Sequence, residues 1–453
     1  MVKSICLTLI LMFILGLTAI NVGAIPIRDR QATIDELKSY NIDARDHYPQ
    51  KEPTSADDYY KLGIVYLYNS MPQAAFEQFK KALELNPNHV DSIIGMAISA
   101  TWLGNKDMAL EYSNKALNVE NSAKVRNAVG MVRMANATTP AHLDEAITRF
   151  KEAISMDPKL IPPHLNLALL YINMKRPGDA INEYKTVINM QPQNLQARAG
   201  LVTAYLNTGS PDKAAEEASK IVELAPKSPV SHNVLGEIYA RKRQIDKAMA
   251  EFQQAVKVEP TYAPGYKNIG HVYLLKGLPD KAIEQYNKAL SYRPNYGEAY
   301  SGLGDAYLVK GMNQKAAEQY KNAIKVLPAS ALISVPAYNN LAYIYAGQEQ
   351  ELDTALSYAQ QAKQLDPKQP DIADTVGWIH YKKGNYNEAL VNLKAAAEGS
   401  PNNPTIRYHL GATYYKLGTK DKAINELKKA LSMKGKFEGV EDVKRLLTEL
   451  GAK

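Results

Sequence analysis

From residue 56 to 437 the apolar positions fall into pairs of short helical runs, and the pairs recur about every 34 residues. Numbering each period so that a small residue stands at position 8 aligns Gly63, Ala97, Gly130, Ala168, Val202, Gly236, Gly270, Gly304, Ala342, Gly377 and Gly411. Apolar residues then sit at 4, 7, 8 and 11, and again at 20, 24 and 27. Both runs keep helical spacing, so each unit reads as helix A, turn, helix B. Position 20 is alanine in every unit, from Ala75 to Ala423. Small residues at 8 and 20 let the two helix axes approach closely. The large residue at 24 (Phe79, Phe150, Phe252, Tyr286) is expected to fill the gap between neighbouring units. Glycine near position 15 (Gly277, Gly311, Gly384, Gly418) suits the A–B turn. Proline at 32, from Pro87 to Pro401, ends helix B because its ring cannot continue the ladder.

The units run 56–89, 90–122, 123–160, 161–194, 195–228, 229–262, 263–296, 297–330, 335–369, 370–403 and 404–437. Two insertions interrupt the register. One lies around Ala135–Pro140, in the A–B turn of unit 3, and the other is Ala331–Ser334, between units 8 and 9. Both are expected to be loops. After unit 11, Val440, Val443, Leu446, Leu447 and Leu450 form an amphipathic stripe, so residues 438–453 read as the capping helix that a solenoid end needs.

The chain begins with Lys3, an apolar run from Ile5 to Val22, and the small-residue sequence Val22-Gly23-Ala24. This is the pattern of an export signal cleaved before Ile25. The run is also near the lower limit for a membrane span, so an uncleaved anchor is the second reading. Residues 25–55 read as a linker with one short helix near 33–41.

The repeating residues resemble the tetratricopeptide repeat family. The resemblance implies an all-α fold: an α-solenoid, a right-handed superhelix of about eleven helix-turn-helix repeats closed by the C-terminal cap. In that family helix A lines a concave groove and members mostly bind other proteins. The implied partners are therefore proteins or peptides, with neither cofactor nor metal.

Composition agrees with an ordered chain that does no chemistry of its own. A net charge of +7 over 453 residues is modest, and the lysines are scattered rather than clustered as a nucleic-acid footprint requires. The single cysteine, Cys6, excludes an internal disulfide or a thiolate metal site. The eight histidines form no pair at metal-ligand spacing, and phosphate-binding and nucleophile-elbow motifs are missing. Most of the 29 tyrosines fall at core positions 4, 11 and 24.

If helix A lines the groove, positions 5, 6 and 9 show what a partner meets. Units 1 to 4 place Tyr60, Ile64, Ile94, Ile98, Met131, Leu165 and Leu169 there, an apolar strip. Such a strip binds a hydrophobic partner segment, is covered by residues 25–55, or is buried against adjacent helices. Later units are polar with aromatics: Asn233, Glu237, Lys267, Asn268, His271, Asp305, Asn339, Asn340, Tyr343, Asp374, Trp378 and Tyr408. Asparagine carries both donor and acceptor, and so can pair with a peptide backbone. The family's clamp for a terminal carboxylate is represented only by Lys267 with His271, beside which Asp305 is unfavourable. In the stretch 374–390, His380 takes the core position usually held by tyrosine. Asp374 and Trp378 have no evident packing role there and read as groove-facing.

Overall fold

The computed structural model describes residues 53–328, 330–347, 351–433, 437 and 439–452. The export signal at 1–24 and all but the last three residues of the 25–55 linker lie outside these. The chain divides into two units, residues 1–244 and 245–453. In the first, the helices are α1 Ala56–Tyr68, α2 Pro72–Leu85, α3 Val90–Trp102, α4 Lys106–Val119, α5 Ala123–Ala135, α6 Pro140–Met156, α7 Ile161–Asn173, α8 Pro177–Met190, α9 Leu195–Asn207, α10 Pro211–Leu224 and α11 Pro229–Arg241. The second holds α12 Ile245–Val258, α13 Ala263–Leu275, α14 Pro279–Tyr292, α15 Gly297–Val309, α16 Asn313–Val326, α17 Val335–Gly347, α18 Leu352–Leu365, α19 Pro370–Lys382, α20 Tyr386–Gly399, α21 Pro404–Lys416, α22 Lys420–Ser432 and α23 Val440–Glu449. Odd-numbered helices up to α21 are the A helices, and α23 is the expected cap. Each unit is an α-solenoid of stacked hairpins.

Helices of 13 or 14 residues are marginal alone and depend on packing. Proline opens many B helices, at Pro72, Pro177, Pro211 and Pro279, where its missing N–H costs nothing. Nine of the A–B turns close on a left-handed residue. It is glycine at Gly104, Gly209, Gly277, Gly311, Gly384 and Gly418, while Ser70, Lys175 and Arg243 adopt the same conformation without glycine's freedom.

The eleven alanines at position 20 are all fully buried. Beside them, in repeats 1 and 7, the ring at position 24 is wedged between two glycines. A β-carbon at Gly63 would lie 2.4 Å from the Phe79 ring, and one at Gly95, on the next A helix, 2.7 Å from the same ring. Tyr286 is held likewise between Gly270 and Gly302, at 2.9 and 2.5 Å. Position 6 of the following repeat is thus part of the seam between repeats.

A second device was not evident from the periodicity. In several repeats the side chain six residues after the helix-ending proline bonds to that proline's carbonyl. Arg198 Nε reaches Pro192 O at 3.0 Å, Tyr266 Oη reaches Pro260 O at 3.0 Å, and Arg407 Nε reaches Pro401 O at 2.9 Å. The arginines also pair back onto their own B helix, Arg198 with Glu217 at 2.6 Å and Arg407 with Glu426 at 2.7 Å. His164 joins Pro158 O and Glu183 in the same way. Lysines at the end of A helices reach the preceding B helix, as Lys276 does to Asp246 at 2.7 Å, but these aspartates are exposed and such pairs stabilise little.

The insertions differ from expectation. In repeat 3 the extra residues mostly lengthen α6, a 17-residue helix, instead of enlarging the turn. Pro140 fits the first position of a helix that Thr139 caps, so the turn ends there. The second insertion forms a 3₁₀ turn, Leu332–Ser334, and Ser334 Oγ takes over the latch to Pro328 O at 2.8 Å.

Two predictions follow from this packing. Ala282→Leu overpacks a fully buried contact and should cost about 1–3 kcal/mol, read by thermal unfolding of the chain. Val391→Ala, on a side chain that is 70% exposed, should change the same midpoint negligibly. The second concerns His164, whose bond to Glu183 raises its pKa above 6.5 against the opposing effect of burial. A raised folded pKa means that the stabilisation is complete below the unfolded value and is lost as pH rises through the folded one. Amide exchange in α7 and α8, corrected for its intrinsic pH dependence, should therefore lose protection as pH rises from about 6 to about 8. His164→Gln should remove that trend.

Candidate functional site

The apolar strip of repeats 1 to 4 is not an open surface. Ile64 and Ile94 are each 7% exposed, Leu165 4%, Met131 2% and Ile98 1%. All five join the continuous apolar core of the first unit, and α3 is buried at every position from Ser92 to Thr101. Only Tyr60 and Leu169 keep partial exposure. Tyr60 packs beside Phe79 and His89, and its burial pushes the phenol up to about 12. The strip is therefore interior, as apolar side chains favour. Whether residues 25–52 contribute to this lies outside the described residues.

The asparagines predicted to form a ladder are mostly engaged inside the fold. Asn166 Nδ2 donates to Asn127 Oδ1 at 2.9 Å, and both are buried. In the first unit Asn233 is 7% exposed and donates to Glu237 Oε1 at 2.9 Å. In the second, Asn268 is also 7% exposed. Asn340 donates to Asp305 Oδ1 and to Tyr320 Oη, each at 3.1 Å. The reason is the seam: position 6 faces the ring at position 24 of the preceding repeat, so a residue there bonds inward.

Asp305 illustrates the electrostatics. Tyr320 Oη donates to it at 2.6 Å and Asn340 adds a second bond, which both favour the carboxylate. Burial outweighs them and holds its pKa above the ordinary value of 3.8. His271, next to it in register on α13, is held below 6.5 by the enclosing groove wall and by the Lys267 ammonium. Its ring nevertheless keeps an exposed edge.

Asp374 and Trp378 are explained by packing after all. His409 Nδ1 lies 2.9 Å from Asp374 Oδ1, and both side chains are largely buried. Trp378 stacks on His409 at 3.9 Å on one side and on Tyr381 at 4.5 Å on the other. With both faces covered, it offers no platform for a base or sugar. Tyr408 is 8% exposed, bonds Asp442 of the cap at 3.2 Å and packs near Phe437. Sequence periodicity could not reveal the partners His409 of Asp374 and Asp442 of Tyr408, because they lie 35 and 34 residues away on the next element of the stack. His380 is half-buried, with its pKa lowered by that burial, consistent with its core position.

What stays open is the concave face of α13, α15 and α17. Lys267, Ser301 and Asn339 stand at position 5 of three consecutive A helices, and His271, Asp305 and Tyr343 at position 9. Tyr343 is 39% exposed. Ser301 Oγ and Asn339 Oδ1 are shielded from water yet meet no hydrogen-bond partner. Ser301 was not among the predicted site residues; its signal was its place between Lys267 and Asn339 in register. Both residues are only partly buried, so a side-chain rotation brings these atoms to a ligand backbone that supplies the missing bonds. Among the described residues no three metal-ligating side chains come together.

The geometry agrees with what the chain is similar to. The family described as Tetratricopeptide repeat matches residues 56–89, 174–238, 230–262, 263–296, 335–369 and 404–437, and the TPR repeat description matches 377–418. No curated protein sequence matches the chain. Among solved structures, the APC/C hetero-tetramer Cut9-Hcn1 is 17% identical over 92% of this chain and 95% of that one, with a TM-score of 0.50. MamA is 31% identical over 34% of this chain and 91% of that one, with a TM-score of 0.31. YrrB, described as a TPR protein with an unusual peptide-binding site, is 21% identical over 42% and 96%, with a TM-score of 0.33. The family matches together span more than half of the sequence, in the register of the observed hairpins. The chain belongs to the tetratricopeptide repeat family.

Proposed function

We propose that this protein is an interaction scaffold that holds an extended segment of a partner protein on the concave face of repeats 7 to 9. The observation that carries this reading is the row of polar side chains at positions 5 and 9 of three consecutive A helices, in which Ser301 Oγ and Asn339 Oδ1 lack a hydrogen-bond partner. They lie at the same position of neighbouring A helices, flanked by the exposed His271 and Tyr343. An extended backbone presents alternating donors and acceptors that satisfy such a row. Beyond repeat 9 the groove positions are consumed by the Asp374–His409 pair and the Trp378 stack, which confines the segment to about three repeats.

The setting we propose is the cell envelope, in assembly or secretion. Lys3, the apolar run Ile5–Val22 and Val22-Gly23-Ala24 support export, with cleavage before Ile25 or retention as an anchor. N-terminal sequencing of the protein recovered from its native envelope distinguishes the two, and an intact Met1 in a soluble cytoplasmic fraction contradicts both.

The groove reading predicts the outcome of selecting a displayed random-peptide library against the chain. Selected peptides should lose about tenfold in affinity, or about 1.4 kcal/mol, with Tyr343→Ala, and more with Ser301→Leu added. Val391→Ala should leave affinity unchanged. Affinity indifferent to both groove changes excludes this face. Trp378→Ala should act differently, loosening repeats 10 and 11, because the indole is sandwiched in their packing.

A further inference from the structure

On the concave face of α13, α15 and α17, the charged side chains at positions 2, 5, 6 and 9 are Lys267, Glu298 and Asp305, together with the His271 imidazole. Helix α17 contributes none. Lys276 and Lys310, at the ends of α13 and α15, pair with Asp246 and Asp280 of the preceding B helices. The face therefore carries two carboxylates against one ammonium, on a chain whose net charge is +7. Glu298 stands two turns before Asp305 on α15, about 10 Å along the helix. Asp305 is the acid that the neighbouring elements hold in place.

Tyr320 Oη and Asn340 Nδ2 both donate to Asp305 Oδ1, at 2.6 and 3.1 Å. Tyr320 is fully buried and Asn340 belongs to the next A helix, so two elements fix the carboxyl group. Its other oxygen, Oδ2, accepts no bond among the described residues and is not sealed from solvent as Ser301 Oγ is. The Lys267 ammonium bears on His271, and no lysine or arginine pairs with Asp305 among the described residues. His271 does not supply the missing charge either. Enclosure and Lys267 hold its pKa below 6.5, so near pH 7 it is mostly neutral. Asparagine would accept both bracing bonds through its own oxygen, so the brace does not require a charge. What the fold presents is a fixed, half-buried carboxylate with one open oxygen and no counter-ion.

We infer that Asp305 seats a basic side chain, lysine or arginine, of the segment held in this groove. The inference rests on the groove reading and adds the partner's chemistry at one position. A backbone N–H can bond Oδ2 but leaves the charge in place. A cation does both, and a charge-assisted bond is the stronger one. Partial burial raises its worth further, because water and salt screen it less. Tyr343, 39% exposed, lies one turn after Asn340 on α17 and in register with Asp305. It places an aromatic ring beside the path of the incoming stem.

The test is selection of a displayed random-peptide library against the full chain and against Asp305→Asn, followed by affinity measurements on one selected peptide. Lysine or arginine should be enriched at one aligned position of the peptides selected on the wild type, and Asp305→Asn should abolish the enrichment. Nonspecific attraction to a chain of net charge +7 favours acidic peptides, so it cannot produce this preference. Replacing the basic residue of the peptide by methionine should weaken binding to the wild type about tenfold and binding to Asp305→Asn hardly at all. The peptide change needs no protein variant, so that half of the cycle stands even where Asp305→Asn is less stable. Peptides that depend on Tyr343 but show no basic preference, or that keep it on Asp305→Asn, overturn this inference and leave the groove reading intact. Peptides indifferent to both Tyr343→Ala and Ser301→Leu overturn the groove reading, and this inference with it.

Discussion

The ring at position 24, present in six of the eleven repeats and wedged in repeats 1 and 7 between glycines of two successive A helices, is the contact on which the stacking of those repeats depends. Where Phe79 sits against Gly63 and Gly95, or Tyr286 against Gly270 and Gly302, no β-carbon fits. The ring fixes how closely helix B approaches its own helix A and how the next repeat stacks on both. The fully buried alanines at position 20 keep the helix axes near enough for it to reach across. In the repeats that carry it, the proline-carbonyl latch then ties the end of a B helix to the start of the following A helix. Two short-range rules, repeated, give a solenoid without any long-range pairing.

The same wedge decides which side chains a partner can meet. A residue at position 6 lies against the seam, which is why Asn166 and Asn340 bond inward and why Gly200 and Gly302 carry no side chain. Positions 5 and 9 remain, and the repeats use them differently. In repeats 1 to 4 they are mostly apolar and buried; in repeats 10 and 11 they are tied up by Asp374, His409, Trp378 and Tyr408. The open, polar and incompletely bonded stretch is on α13, α15 and α17.

Much of this fold was legible from spacing alone. The eleven hairpins, the close-packing positions and the cap follow from a period that constrains each repeat independently. The site was less legible because a groove residue's fate depends on partners one repeat away. Asp374 looked free until His409 appeared beside it, and Trp378 until Tyr381 and His409 closed on its faces. Likewise the repeat 3 insertion was expected to be a loop, whereas Pro140 opens a longer helix. Hydrophobic pattern separates interior from surface along one helix, but it does not say which polar side chains find one another across a seam.

The most direct test of the account is a double-mutant cycle between Gly302→Ala and Tyr286→Leu, read by equilibrium unfolding. If the ring fills the hollow at Gly302, the alanine should cost about 1–3 kcal/mol beside tyrosine and much less beside leucine, a clear coupling. Additive effects would mean that position 6 is free of the seam. That would contradict both the packing rule and the assignment of the groove to positions 5 and 9.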